Sequence, residues 1–103
     1  MNDKEISALS TQTAADIAAT IAKAGRAIDE AGTDILRECI QTCLGNWQRG
    51  EEISLEACSQ WVTEIFTRRR NETQTELEAF NAMMIFGANF PAFVRDNQNQ
   101  TEA

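Results

Sequence analysis

Small and aliphatic residues recur near the start of the chain at intervals of three and four: Ala14, Ile17, Ile21, Ala24, Ile28, Ala31 and Ile35. A half-buried strand would alternate every second residue, whereas this spacing keeps one face of a helix apolar. The larger members, Ile17, Ile21, Ile28 and Ile35, define a helix seam, and the alanines between them allow a second helix to approach closely. After Ile35 the stripe slips by one residue to Leu36, Ile40, Cys43 and Trp47. Gly32-Thr33-Asp34 stands just before the slip; a helix-interior glycine costs about 1 kcal/mol, and Thr33 is a candidate cap. The pattern predicts either one helix over about 13–48 with a stutter, or two helices meeting near Gly32.

The run Gly45-Asn46-Trp47-Gln48-Arg49-Gly50 carries the clearest turn signals, with Gly50 suited to a left-handed residue after a helix. Ser54 then caps a helix whose apolar residues are Leu55, Cys58, Trp61, Val62, Ile65 and Phe66. Asn71 or Thr73 is a candidate cap for a further helix carrying Leu77, Phe80, Met83 and Met84, and Gly87, Asn89 and Pro91 end it. The reading is a polar, frayed tail over 1–12, one helical domain over 13–95, and a polar tail over 96–103. The fold class is all-α: a long antiparallel helical hairpin turning near 45–53, or a small helical bundle. Each arm would have about 35 residues and a length of roughly 50 Å. Two such arms make a thin core, so the reading includes dimerisation into a fuller bundle.

Charge and composition narrow the function. The net charge is −7, which argues against direct binding to a nucleic-acid backbone. Histidine is absent, removing the commonest general base and metal ligand. Cys39, Cys43 and Cys58 lack a fourth ligand and read as buried core residues. The acids fall mostly on polar faces, where Glu64–Arg68 and Arg26–Glu30 form i, i+4 pairs. No phosphate-binding glycine loop, nucleophile elbow or zinc-protease pattern occurs. The expectation is a protein that is not an enzyme and needs no cofactor or metal. The opening residues lack the apolar run of a secretory signal, and no segment is long enough to span a bilayer. With an odd number of thiols, these features predict a cytoplasmic location.

Two clusters stand out as contact candidates. Arg68, Arg69 and Arg70 form the only basic run; they suit an anion or an acidic partner, or pairing with nearby carboxylates. The segment 80–94 holds four of the five phenylalanines and is apolar on more than one helical face. With the preceding helix it contributes Trp61, Phe66, Phe80, Met84, Phe90 and Phe93 as surface or partner contacts.

From Cys58 onward the chain resembles the phasin family, helical proteins that coat intracellular polyhydroxyalkanoate granules. The carrying residues are Cys58, Trp61, Phe66, Arg68-Arg69 and Leu77, then Asn89-Phe90-Pro91-Ala92-Phe93-Val94. The resemblance covers about a third of the chain and transfers no functional residue. It implies a self-associating helical protein laid on an apolar granule surface. The alternative from the residues is a dimeric helical adaptor or regulator that binds a protein partner by helix packing. A third reading is an acidic, phage-type inhibitor of a basic nucleic-acid enzyme. Burial of Phe90 and Phe93 would favour the adaptor, and a contiguous exposed aromatic patch the surface coat.

Overall fold

The computed structural model describes the backbone of residues 1–102 and the side chains of residues 1–97. The elements are α1 (Asp3–Lys23), α2 (Glu30–Gln48), α3 (Leu55–Arg69), a single 3₁₀ turn (Arg70–Glu72), α4 (Glu76–Ala88) and α5 (Phe90–Glu102), with no strand among the described residues. The all-helical reading holds. The long-armed hairpin does not: the molecule measures 37 × 27 × 23 Å, too short for a straight arm of roughly 50 Å.

The chain is helical well before residue 13. Asn2 caps α1 by accepting from the Glu5 amide at 2.8 Å, and Asp3 and Glu5 place negative charge in the first turn. Ile6, Ser10 and Ala14 then fall on one face and are buried. The Ser10 hydroxyl donates to the Ile6 carbonyl at 2.7 Å, so its burial leaves nothing unpaired. The expected tail over 1–12 is therefore a packed part of α1. Its buried face is short and includes a serine, which hides it from a reading based on apolar residues. At the other end, α5 carries the backbone of the expected tail as far as Glu102. The side chains from residue 98 onward, and all of residue 103, lie outside the described residues.

The Ile/Ala seam is not one helix. Gly25, at φ +83°, ends α1 with two backbone bonds: Gly25 N–H to the Ala22 carbonyl and Arg26 N–H to the Ile21 carbonyl. This is the Schellman closure. The same closure recurs at Gly50, φ +86°, through Gly50 to Trp47 and Glu51 to Asn46. The break thus lies at Gly25 and not near Gly32, and Ile28 sits in the connection ahead of α2. Ile17, Ile21 and Ile28 are half-buried against the core and Ile35 is fully buried. Folding the run back on itself makes α1 and α2 neighbours rather than one rod.

The apparent slip after Ile35 also has a packing cause. In α2, Ile35, Leu36, Cys39, Ile40, Cys43 and Leu44 are all fully buried, a stripe two residues wide. Such a stripe serves a helix touched by several others, and α2 packs against α1, α3 and α4. Ser54 caps α3 by accepting from the Ala57 amide at 3.0 Å, and α4 bends into α5 by 68° at Asn89. Gly87 lets α4 approach α3, since a Cβ there would stand 3.4 Å from that of Cys58.

One side chain joins the two halves. Asp29 Oδ1 caps α2 by accepting from the Gly32 amide at 2.7 Å, and also accepts from Thr73 Oγ1 at 2.6 Å. Its Oδ2 accepts from the Gln74 amide at 2.8 Å. Its own amide donates to Thr75 Oγ1 at 3.0 Å, and Thr75 is the residue before α4. These donors, led by Thr73, then the Gln74 and Gly32 amides, hold the Asp29 carboxyl down at about 2 from an ordinary 3.8. A group with a depressed folded-state pKa stabilises fully above its unfolded value, and that contribution is lost as pH falls through the folded value. Asp29→Asn should therefore flatten the loss of stability between about pH 4 and about pH 2, and Asp29→Ala should cost about 1–2 kcal/mol at neutral pH, both read by urea unfolding.

Gly32 makes a companion test. A Cβ at Gly32 would meet Ile28 Cγ2 at 2.9 Å and Asp29 Oδ1 and Thr73 Oγ1 at 3.0 Å. Gly32→Ala should destabilise by about 1–3 kcal/mol despite better helix propensity. Gly45→Ala would meet only the flexible Arg49 Nη1 at 3.5 Å and should stabilise by about 0.5–1 kcal/mol. Thermal melts of the two variants should move in opposite directions.

Candidate functional site

No charged residue occurs between Glu78 and Arg95, and most of α4 lies inside that stretch. Its inner face buries Ala79, Ala82, Met83, Phe86 and Gly87. The helix is apolar around most of its circumference, so burying one face leaves other large groups outside. Leu77 is 67 % exposed and Ile85 66 %.

Ile85 borders an open groove of about 350 Å³ between α1 and α4. Ile17 and Ile21 come from α1, Ala82, Ile85 and Phe86 from α4, and Thr13, Asp16, Thr20 and Asn89 complete the rim. Three of the four rim groups are hydrogen-bonded to residues four positions away. Asp16 Oδ1 accepts from Gln12 Nε2 at 2.9 Å, Thr20 Oγ1 donates to the Asp16 carbonyl at 2.9 Å, and Asn89 Nδ2 donates to the Ile85 carbonyl at 2.8 Å. Among the described residues no buried side-chain polar atom lacks a partner. The groove therefore offers apolar contact rather than a set of converging polar groups, which suits the side chains of another helix.

The six contact candidates do not assemble into one exposed patch. Phe66 and Phe90 are 3 % and 2 % exposed and belong to the core. Phe66 meets Phe80 edge-on, with centroids 5.3 Å apart; Phe86 meets Phe90 at 5.8 Å and Phe93 at 4.9 Å, also edge-on. Trp61, Phe80, Met84 and Phe93 are half-buried, packed against the same core. The bend after Ala88 turns Phe90 and Phe93 back onto Phe86, which is why these rings satisfy one another. Phe66 and Phe90 are thus corrected from surface contacts to core. The groove residues Ile17, Ile21, Ala82, Ile85 and Phe86 escaped as a site because they come from two helices far apart in sequence. The uncharged run from 79 to 94 was the available signal.

The arginine run divides. Arg69, 14 % exposed at its side chain, donates to Glu72, to Asp34 Oδ2 at 2.9 Å and to Glu38 Oε1 at 2.8 Å. Arg68 also pairs with Glu38, across from α3 to α2 rather than along α3 to Glu64. Arg26 likewise pairs with Glu78 at 3.6 Å rather than with Glu30. Arg37 first and Arg69 second hold the Asp34 carboxyl below its usual range, and Arg69 does the same for Glu72. Arg70 is exposed. The pairs of Arg68 and Arg69 are internal, so the run clamps α3 to α2.

All three cysteines are buried and free. Burial pushes the Cys39 thiol up to about 12, and donation to Cys58, 3.8 Å away, together with burial, raises Cys43. Protonated, enclosed thiols are poor nucleophiles. Among the described residues no three metal-binding side chains converge. No single helix there is long and apolar enough to cross a membrane; α4 and α5 reach that length only together, across their bend.

Arg69 and Arg70 should respond differently to truncation. Arg69→Met leaves Glu72 unpaired and Asp34 and Glu38 with only Arg37 and Arg68, and should cost about 1–2 kcal/mol in chemical denaturation at low salt. Arg70→Ala should change stability by no more than about 0.5 kcal/mol.

No family model, curated protein or solved structure matches the chain.

Proposed function

We propose that the protein is a non-enzymatic helical adaptor that binds a protein partner by receiving an amphipathic helix in the α1/α4 groove. The observation that carries this is the groove itself: an apolar lining of Ile17, Ile21, Ala82, Ile85 and Phe86, with Asp16, Thr20 and Asn89 on its rim already hydrogen-bonded within the chain. A helix partner brings apolar side chains at i, i+3 and i+4 and demands few hydrogen bonds from its receptor. The burial of Phe90 and the packing of Phe93 against Phe86 favour this reading over an aromatic patch laid on a surface.

The granule-coat reading, with its resemblance to phasins, stands second. In its favour are the exposed Leu77 and Ile85 and the uncharged stretch that holds most of α4. Binding of that kind would grow with the apolar area laid down and would be indifferent to helical periodicity. The inhibitor reading needs a concentrated acidic face. Asp34, Glu38 and Glu72 are instead neutralised by the chain's own arginines.

A titration separates the first two. An amphipathic Leu/Lys helical peptide, added to isoleucine-methyl-labelled protein, should shift Ile17, Ile21 and Ile85. Ile17→Lys should weaken the peptide's binding by about tenfold or more, about 1.4 kcal/mol. A same-composition peptide with scrambled order should move nothing. Polyester nanoparticles that strip the protein from solution while the peptide leaves every methyl unmoved would instead install the granule-coat reading.

A further inference from the structure

Two of the three core thiols touch across helices. Cys43 on α2 and Cys58 on α3 are 15 positions apart in sequence, and their sulfurs lie 3.8 Å apart. Among the described residues this is the one thiol–thiol hydrogen bond, and Cys43 donates in it. Shortening that gap to the roughly 2.05 Å of a disulfide takes a movement of about 2 Å, shared between two side chains.

We propose that Cys58 is an oxidation site for small peroxides and that Cys43 closes on the product, forming a disulfide that ties α2 to α3. The Cys58 thiolate attacks one peroxide oxygen. An S–O bond forms, the O–O bond breaks, and the leaving hydroxide takes up the proton that Cys58 had released. Cys58 is then a sulfenic acid. The Cys43 sulfur attacks the Cys58 sulfur, the S–S bond forms, the S–O bond breaks, and hydroxide departs with the Cys43 proton as water. Two thiols and one peroxide thus give one disulfide and two waters, each sulfur losing one electron. Each chain consumes one peroxide and stops, so the step is a modification rather than turnover.

Position assigns the two roles. Cys58 lies one turn inside the start of α3, its amide bonded to the carbonyl of the Ser54 cap, where the positive end of the helix dipole favours a thiolate. The Cys43 thiol donates to it, which holds Cys58 below its usual range and raises Cys43. Cys58 also keeps 2 % of its surface in solvent, whereas Cys39 and Cys43 keep none. The sulfur reached first is therefore the one best able to attack. Cys43, already in contact, needs no encounter to complete the bond.

The same geometry excludes the other pairing and sets the oxidant. Cys39 and Cys43 are four residues apart on one helix, which holds their Cβ atoms about 6 Å apart, beyond the about 4 Å that a disulfide spans. Burial also holds the Cys39 thiol up at about 12. Around Cys58, α4 packs closely: a Cβ at Gly87 would stand 4.0 Å from its sulfur. So enclosed a thiol admits a molecule of two oxygen atoms and refuses a peptide disulfide such as oxidised glutathione. No residue of the α1/α4 groove takes part, so this site and the groove are tested separately.

Hydrogen peroxide added to the reduced, folded chain tests this, with intact mass, thiol titration and peptide mapping as readouts. The mass should fall by two hydrogens, the free thiols should drop from three to one, and the map should link Cys43 to Cys58. Cys39 should react at least about tenfold more slowly. Cys43→Ala should leave a sulfenic acid on Cys58 that a 1,3-diketone traps, Cys58→Ala should protect the remaining thiols, and Cys39→Ala should change nothing. The cross-linked chain should melt roughly 10 °C above the reduced one, and dithiothreitol should restore both thiols and melting point. Three intact thiols after peroxide, equal oxidation of all three, a link through Cys39, a sulfenic acid on Cys43 before Cys58, or a glutathione adduct on the folded chain would each overturn the proposal. The same treatment in urea should erase the preference, since it belongs to the fold and not to the sequence.

Discussion

The bundle depends on a carboxylate that is shared between two helix starts. Asp29 caps α2 with one oxygen and holds Thr73 with the same atom, while its other oxygen takes the Gln74 amide. These bonds fix where α2 begins and where the chain must be when it enters α4. A helix start leaves amide groups unpaired, and an ionised acceptor there gains from both hydrogen bonding and the helix dipole. Gly32 follows from the same arrangement, because the space a Cβ would need is occupied by Asp29, Thr73 and Ile28. With α4 held at its start and α3 clamped to α2 by Arg68 and Arg69, the rest of the core has little choice of register.

Placing α4 this way has a cost in exposed apolar surface. A helix that is apolar nearly all round is stable when neighbours surround it. Here α2 and α3 cover one side, and α1 leaves a gap that becomes the groove. Leu77 and Ile85 remain in water with no packing reason to be large. Scattered surface leucines such as Leu77 are ordinary, but Ile85 stands on the edge of an apolar groove. The functional proposal rests on that groove rather than on any titratable group.

The thiols belong to the packing of the core. Cys39, Cys43 and Cys58 sit together there, as a reading of free cysteine as a small hydrophobe anticipates. Burial keeps Cys39 protonated, and the hydrogen bond to Cys58 with burial does the same for Cys43, which removes from both the property that makes a cysteine reactive.

Local chemistry determined much of this fold by itself. The three-and-four spacing made it helical, Ser54 started α3, and Gly50 closed α2, because caps and left-handed glycines act within a few residues. The same logic applies to Asn2 and Gly25, but it was outweighed there by polar composition at one site and by an unbroken apolar rhythm at the other. Only the tertiary structure decided that the Ile/Ala run folds back between Ile21 and Ile28, that Asp29 reaches Thr73, and that Arg68 and Arg69 turn to α2. The last two join residues dozens of positions apart, and spacing along a chain carries no record of which distant partner wins. The groove is the extreme case: α1 supplies two isoleucines that read as a seam, α4 supplies an apolar helix that reads as core, and the open space exists only because the fold sets them side by side without closing the gap.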